Sequence, residues 1–189
     1  MFATRPPGRR LVAPMIVTLD PSQNNVAAHR PGTKALWRLM DDIMDPEIPV
    51  LSIVDLGIVR DIEAGVPPRI MVTPTYTGCP ATDMINGLIR AKTEAGGFGT
   101  PDIVTVLSPA WTTDWLSEQG RLKLMAYGIA PPVKGIASKR ALMGKAASVC
   151  CPRCGSAETE RVSEFGSTAC KALYRCGACL EPFDYFKCV

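Results

Sequence analysis

The chain has 189 residues, 47% of them hydrophobic and 21% charged, which is enough for one ordinary globular domain and a small appendage. Its formal net charge of +3 is too small to indicate a nucleic-acid partner, and no apolar run approaches the roughly 20 residues that cross a bilayer. Because no segment has the pattern of an export signal, we expect a cytoplasmic protein that binds neither nucleic acid nor membrane.

Residues 1–32 are interpreted as a flexible amino-terminal arm, since Pro14 interrupts the short apolar patch LVAPMIV. His29, the only histidine of the chain, falls in this arm, where we expect a solvated side chain rather than a ligand or a base.

The helical period begins at residue 33. A first helix is predicted by four apolar residues that are spaced to lie on one helix face, namely Leu36, Leu39, Met40 and Ile43. Thr33 would be its cap and Asp45 its end. The stretch DPEIPVLS must be a loop because Pro46 and Pro49 disfavour helical geometry in the residues before them. A strand at about residues 53–62 and the short segment RIMVTP then predict a hairpin.

The loop TYTGCP leads into a second predicted helix from Ala81 to the pair Gly96 and Gly97. The segment DIVTVL predicts a third strand, and Thr112 and Thr113 would cap a last helix that carries Trp115, Leu116 and Leu122 and ends near Gly128. This αββαβα order predicts an α/β (α+β) domain over residues 33–130, a three-stranded sheet with helices packed on it.

Residues 131–148 carry four basic residues and no acid, which indicates a solvated linker. Residues 149–189 contain two Cys-x-x-Cys pairs with 21 residues between them, the spacing of a β zinc-ribbon: Cys151, Cys154, Cys176 and Cys179. Gly155 and Gly177 lie near the two turns and favour their tight backbone. Such a small module takes much of its folding free energy from the bound metal.

Zinc is the predicted ion of the ribbon, although four thiolates also accept an iron-sulfur cluster. A disulfide framework is disfavoured because nothing directs export. Cys150, Cys170 and Cys188 are surplus to the four ligands, and we expect each to be a small buried or incidental residue rather than a ligand. For Cys170 and Cys188 the alternative is a position close to the ribbon site.

Cys79 is the lone cysteine of the larger domain, and Pro80 suits the first position of the helix that follows it. Cys79 would then be the cap or first residue of that helix, where the macrodipole favours a thiolate that acts as a nucleophile or a soft metal ligand. No histidine is available in this domain as a base, so hydrolysis is disfavoured. The alternative is that Cys79 is a small residue packed under the helix.

Two interpretations of Asp45 and Glu47 stay open. They are either ligands or supporting groups near Cys79, or solvated or capping acids of the turn.

The segments DPEIPVLSIVDLGIV and VTPTYTGCP resemble the MIP18-like family of iron-sulfur cluster assembly proteins over about residues 33–129. The aspartate-proline-glutamate turn of that family matches Asp45 and Glu47, and its threonine-rich loop matches Thr73, Thr75 and Cys79. The resemblance implies that these five residues handle iron or a cluster. It also implies that Cys79 transiently binds iron or a transient iron-sulfur cluster, with a second copy in a homodimer or a docked client supplying a matching thiolate.

With its cysteine-rich tail, the whole chain resembles one subgroup of that family, the accessory subunits of the oxygenase that epoxidises phenylacetyl-CoA in aerobic phenylacetate catabolism. The resemblance implies a non-catalytic subunit that assists iron-sulfur cluster assembly or maintenance and has the other epoxidase subunits as partners, above all the iron-sulfur flavin reductase. Two alternatives stay open: a structural subunit that holds the oxygenase together without handling iron, and a thiol-dependent enzyme that uses Cys79.

Overall fold

The computed structural model describes residues 32–76, 78–133 and 149–187. The predicted arm up to residue 31, with His29, lies outside the described residues, as do residues 134–148 of the predicted linker and Cys188. No described helix is both long enough and apolar enough to span a membrane.

The first sheet has three strands in the order β1-β2-β3, namely Val59–Glu63, Arg69–Val72 and Asp102–Thr105. Strands β1 and β2 form the expected antiparallel hairpin, and β3 lies parallel to β2. The parallel pair is joined by helix α2, Ala81–Ala95, which packs with helix α1, Lys34–Asp41. The predicted mixed fold with a three-stranded sheet is confirmed.

Two predicted boundaries were wrong because tertiary contacts displaced the regular elements. Helix α1 ends at Asp41 instead of Asp45, because residues 43 and 44 turn back to pair with the segment at residues 52 and 53. Strand β1 begins at residue 59 instead of 53, since residues 53–57 form a turn. Gly57 has a φ of +69° in this turn. It lies so close to Trp115 that a Cβ added to Gly57 would be 2.7 Å from the Trp115 carbonyl oxygen.

The third predicted helix is divided into two elements. A 3₁₀ turn, Thr113–Trp115, is capped by the hydroxyl of Thr112, which accepts from the amide of Asp114. Helix α3 then runs from Glu118 to Tyr127, with Ser117 as its cap and Gly128 in the left-handed conformation at its end. Trp115 and Leu116 therefore lie before α3 and not on it.

The second sheet joins the carboxyl-terminal module to the larger domain. Its order is β4-β7-β6-β5, in which β5 (Thr159–Ser163), β6 (Lys171–Cys176) and β7 (Pro182–Phe186) form an antiparallel ribbon. Strand β4, Ile129–Ala130, follows α3 directly and pairs in parallel with β7. The sequence analysis missed β4 because two residues give no periodic pattern.

The main hydrophobic core also extends into the ribbon. Phe186 and Cys170, from the ribbon, are buried in the same cluster as Leu36, Ile70 and Trp111 of the larger domain. The rings of Phe186 and Trp111 meet edge to face with 6.1 Å between their centroids. The ribbon is thus packed against the larger domain through both backbone pairing and apolar contact.

Asp55 connects the turn at residues 52–57 to helix α3. Its carboxylate accepts hydrogen bonds from the Ser117 hydroxyl at 2.8 Å and the Lys123 ammonium at 2.6 Å, and its side chain is 7% exposed. Burial by itself would raise the pKa of Asp55, but these donors and the amide of Ser52 outweigh it and lower the pKa below its ordinary value.

Asp55→Asn is expected to destabilise the protein by about 2 kcal/mol at neutral pH, because it leaves the Lys123 ammonium without its carboxylate. A lowered pKa stabilises the fold above the unfolded-state value of about 4, and this stabilisation is lost as pH falls through the lower folded-state value. Urea unfolding of both proteins should therefore give a difference in stability that is large at pH 7 and shrinks below about pH 4. An undiminished difference at acidic pH would contradict this assignment.

Candidate functional site

One cavity lies where the turn after α1, the start of α2 and the ribbon meet. Apolar side chains form much of its wall, and polar or thiol groups reach it from three segments: Asp45, Glu47, Thr75, Cys79, Thr82, Asn86 and Cys170. The cavity has a volume of about 20 Å³. Since a single water needs roughly 10–15 Å³ by this measure, the cavity has room for a water or an ion.

Asp45 holds the shape of the turn. One oxygen of its carboxylate accepts from the amides of Glu47 at 2.9 Å and Ile48 at 2.8 Å, and the residue is 7% exposed. Burial raises the pKa of Asp45 above its ordinary value, although these two amides act in the opposite direction. Asp45 therefore caps the turn and also lines the cavity, and its role as a ligand stays a prediction.

Glu47 contacts a thiol of the ribbon. Its carboxylate accepts a hydrogen bond from Cys170 Sγ at 3.4 Å, and the hydroxyl of Thr168 lies 3.1 Å from the same sulfur. Burial raises the pKa of Cys170 to about 11, and the nearby charge of Glu47 acts in the same direction. The Cys170 thiol is therefore protonated at neutral pH, as its role as a donor requires.

Cys79 lies at the mouth of helix α2, one residue farther from it than predicted. The helix begins at Ala81 and Pro80 takes the cap position, so Cys79 precedes the cap. Its carbonyl accepts from the amide of Thr82 at 3.1 Å, and its side chain is partly buried against the main core. The thiol lines the cavity together with Glu47 and Cys170.

Tyr76 lies beside these groups. Burial raises the pKa of its hydroxyl, and the charge and hydrogen bond of Cys79 add to the effect, as do the charges of Glu47 and Cys170, to give a value of about 12.

The two threonines named by the sequence are placed differently. Thr75 lines the cavity, whereas Thr73 is not part of its wall and is 2% exposed, lying between the lining residues Val72 and Pro74. Within residues 32–76, 78–133 and 149–187, the hydroxyl oxygen of Thr73 and the amide oxygen of Asn86 are buried and have no hydrogen-bond partner.

Three of the polar or thiol lining residues were not assigned to this site from the sequence: Thr82, Asn86 and Cys170. Cys170 was expected to be an incidental residue or to lie near the ribbon thiols, and instead it lines the cavity with Cys79 at the domain junction. Asn86 lies on α2 among residues with an ordinary helical pattern. The one available signal was that Cys170 remains after the four ribbon cysteines are subtracted.

A second cluster lies in the ribbon. The sulfur atoms of Cys151, Cys154, Cys176 and Cys179 all lie within 4.8 Å of one another, with 3.8 Å between those of Cys151 and Cys179 and 3.5 Å between those of Cys154 and Cys176. Four thiolates at about 2.3 Å from a tetrahedral zinc ion would be about 3.8 Å apart, so the arrangement fits that ion. Amide donors of Cys179 and Ala178 lower the pKa of Cys176 to about 7. A hydrogen bond with the Glu181 backbone lowers the pKa of Cys179, but burial and the hydrogen bonds of the neighbouring thiols outweigh it and raise that pKa to about 12.

The residue after each Cys-x-x-Cys turn adopts a left-handed backbone. Gly155 has a φ of +74° after Cys154, and Leu180 has a φ of +64° after Cys179. Gly177, which the sequence analysis associated with the second turn, does not take this position. Leu180 is also 62% exposed, so its side chain gains little from packing.

Leu180→Gly is therefore expected to stabilise the ribbon by about 1 kcal/mol, because the left-handed region costs a branched side chain about 1–2 kcal/mol. The reciprocal change Gly155→Ala should destabilise it by a similar amount, since an added Cβ meets nothing within 4 Å and only the backbone conformation is affected. Thermal unfolding of the metal-loaded proteins checks both changes. A lower melting temperature for Leu180→Gly would contradict the prediction.

Two family models match the chain. The Iron-sulfur cluster assembly protein family matches residues 33–97, and the PaaD zinc beta ribbon domain matches residues 136–187. The first match contains the turn and Cys79, and the second contains Cys170 and the four clustered cysteines. The two family matches therefore meet at the cavity.

The chain is also similar to individual proteins. The chain is 50% identical over 160 residues to the Escherichia coli (strain K12) protein named as the D subunit of a "Putative 1,2-phenylacetyl-CoA epoxidase", covering 84% of this chain and 94% of that one. It is 36% identical over 90 residues to the Porphyromonas gingivalis "Fe-S protein maturation auxiliary factor", covering 46% of this chain and 85% of that one. A solved DUF59 domain from Bacillus anthracis is 24% identical with a TM-score of 0.45, covering 48% of this chain and 88% of that one. The chain belongs to the family of phenylacetyl-CoA epoxidase D subunits and joins an iron-sulfur cluster assembly domain to a PaaD zinc beta ribbon.

Proposed function

We propose that this chain is a non-catalytic accessory component of a phenylacetyl-CoA epoxidase and that it delivers iron or an iron-sulfur cluster to the reductase component. The observation that carries the proposal is the meeting of Cys79, Asp45 and Glu47, all from the cluster assembly domain, at one cavity that the ribbon also lines. The family relationship supports the epoxidase as the setting, and the name of the Porphyromonas gingivalis relative supports a role in maturation.

The cavity suits an inorganic cargo. A thiol and carboxylates are ligands that iron accepts, and the open volume of about 20 Å³ is the size of an ion or a water. Sites that enclose an organic ligand usually occupy several hundred Å³ or more. The cavity therefore favours handling of iron over turnover of a coenzyme A ester.

In the same proposal, zinc held by Cys151, Cys154, Cys176 and Cys179 has a structural role. All four positions are filled by protein thiolates, which is typical of closed structural sites and leaves no place for a reacting molecule. The ion would supply folding free energy to the module that carries Cys170.

Anaerobic reconstitution with ferrous iron and sulfide tests the role of Cys79. Cys79→Ser should lower the iron-dependent visible absorbance per chain about tenfold or more, because it removes a ligand that water replaces poorly. Cys150→Ser is the matched control, since Cys150 is exposed and is not part of either cluster. Equal spectra for wild type and Cys79→Ser would contradict the assignment.

The delivery step is tested on the assembled system. Reductase co-expressed with Cys79→Ser should contain less iron than reductase co-expressed with wild type or Cys150→Ser. The chain would instead be a structural component if it purified with the oxygenase at fixed stoichiometry while reductase iron was independent of Cys79.

A further inference from the structure

A thiol from the ribbon lies at the cavity of the cluster assembly domain. Cys170 immediately precedes β6, is 5% exposed, and lines the same wall as Cys79 and Glu47. The two cysteines are 91 positions apart in the sequence, so only the docking of the ribbon brings them together.

The position of Cys170 is fixed by the structure around it. Its carbonyl accepts from the amide of Lys187 at 2.9 Å, directly after Phe186, whose ring packs on Trp111. The ribbon backbone is therefore anchored to the larger domain at the point where it presents this thiol.

The surroundings of Cys170 differ from those of a cysteine that only fills space in a core. Its sulfur contacts the Glu47 carboxylate at 3.4 Å and the Thr168 hydroxyl at 3.1 Å. The Glu47 carboxylate is partly buried beside this thiol, and removing a carboxylate from water is costly unless a proton or a cation balances its charge. A divalent ion at this place would take both groups as ligands.

A second observation independently indicates a missing ligand. The amide oxygen of Asn86, a residue of the cavity wall, is buried and has no hydrogen-bond partner among the described residues. Buried acceptors are normally satisfied by protein or by a bound molecule. A hydrated ion in the cavity would supply the donor.

We propose that Cys79 and Cys170 of one chain bind a single ferrous ion together, with Glu47 as an oxygen ligand. The inference deepens the proposed function and rests on it, because it names the ligands of the iron cargo. Binding releases one proton from each thiol to solvent, and the two thiolates with Glu47 more than neutralise the ion. Among the described residues, only the ribbon thiols already form a group of three or more metal-ligating side chains within 4.8 Å of one another, so binding requires Cys79 to approach the Cys170–Glu47 pair.

The site requires no second copy of the chain. The sequence analysis expected a homodimer or a client to provide the second thiolate, whereas here the ribbon of the same chain provides it. The ribbon is then part of the cargo site as well as an appended module.

Cobalt titration of the full-length, zinc-loaded protein under anaerobic conditions tests the proposal, because thiolate-to-cobalt absorption reports the number of sulfur ligands. Wild type should bind one Co²⁺ in addition to the ribbon zinc. Cys79→Ser and Cys170→Ser should each reduce the thiolate absorption by about half and weaken binding about tenfold or more, and the double variant should abolish the band. Cys150→Ser should match wild type.

Glu47→Gln is a second test of the site, needed if Cys170→Ser does not fold correctly. It keeps both thiols and a side chain of the same shape that can still form hydrogen bonds. It should weaken Co²⁺ binding about tenfold while leaving the thermal unfolding curve close to that of wild type. Cys170→Ser or Glu47→Gln with the affinity and absorption of wild type would overturn the proposal.

Mixing Cys79→Ser with Cys170→Ser distinguishes one chain from two. If each site lies within one chain, the mixture shows no more thiolate absorption than its components, and this is the expected result. Partial recovery of tight, wild-type-like Co²⁺ binding in the mixture would show that the thiols come from two copies and would overturn the proposal.

The outcomes separate this inference from the proposed function. A two-thiol site in a chain on which reductase iron does not depend would remove the function and leave the site. Unaltered cobalt binding by Cys170→Ser, with reductase iron still dependent on Cys79, would remove the two-thiol site and leave the proposed function.

Discussion

Cys176→Ser is expected to release zinc and unfold the ribbon. The separate core of the ribbon is small, with five buried members: Ala130, Val149, Cys151, Cys176 and Phe183. Two of these are themselves thiol ligands, so little apolar burial remains without the ion. Zinc contributes roughly 10–16 kcal/mol to the folding of comparable zinc-finger peptides at pH 7, and loss of one thiolate should cost several kcal/mol of this.

Zinc analysis and amide NMR spectra measure the result. Cys176→Ser should contain well below one zinc per chain, and amide signals from residues 149–187 should collapse toward random-coil positions. Signals from residues near Trp111 should also shift, since its partner Phe186 lies in the ribbon. Cys150→Ser should keep its zinc, and a full complement of zinc in Cys176→Ser would disprove the ligand assignment.

Phe186→Ala is expected to loosen the ribbon from the larger domain without touching a zinc ligand. Phe186 is 1% exposed and belongs to the main core, so truncation should cost about 3–5 kcal/mol. Because the amide of the next residue holds the Cys170 carbonyl, the junction cavity should lose its shape as well. Zinc content should remain at one per chain.

Urea unfolding and cobalt titration check both effects. The conservative change Phe186→Leu should cost less than about 1.5 kcal/mol and retain most of the cobalt affinity, since it keeps an apolar side chain at the junction. Phe186→Ala with wild-type stability and wild-type cobalt binding would contradict a ribbon anchored through this ring.

Local patterns predicted the elements that depend on local physics. Helix α2 was predictable because its apolar stripe is bounded by Pro80 and Gly96, and the hairpin of β1 and β2 followed from two short apolar runs. The four ribbon thiols were predictable for the same reason, since Cys-x-x-Cys spacing specifies each turn by itself.

Features that depend on distant contacts were not predictable. Strand β4 exists because β7 lies beside it, and helix α1 stops early because residue 44 pairs with residue 52. Asp55 was overlooked for the same reason, as its partners Ser117 and Lys123 lie 62 and 68 residues away in the chain.

The candidate site shows this division most clearly. Asp45, Glu47 and Cys79 were named from the sequence because they lie in recognisable turns, and the structure brings them to one cavity. Cys170 belongs to no local motif, and its relevance depends on how the ribbon docks. Sequence reasoning therefore identified one side of the junction and missed the other.

The most direct measurement of the central claim is X-ray absorption at the iron edge of zinc-loaded protein carrying one equivalent of ferrous iron. The account predicts two sulfur neighbours per iron together with oxygen neighbours, and one sulfur neighbour in Cys170→Ser. Iron surrounded by oxygen alone, or by four sulfur atoms as in the ribbon, would contradict it.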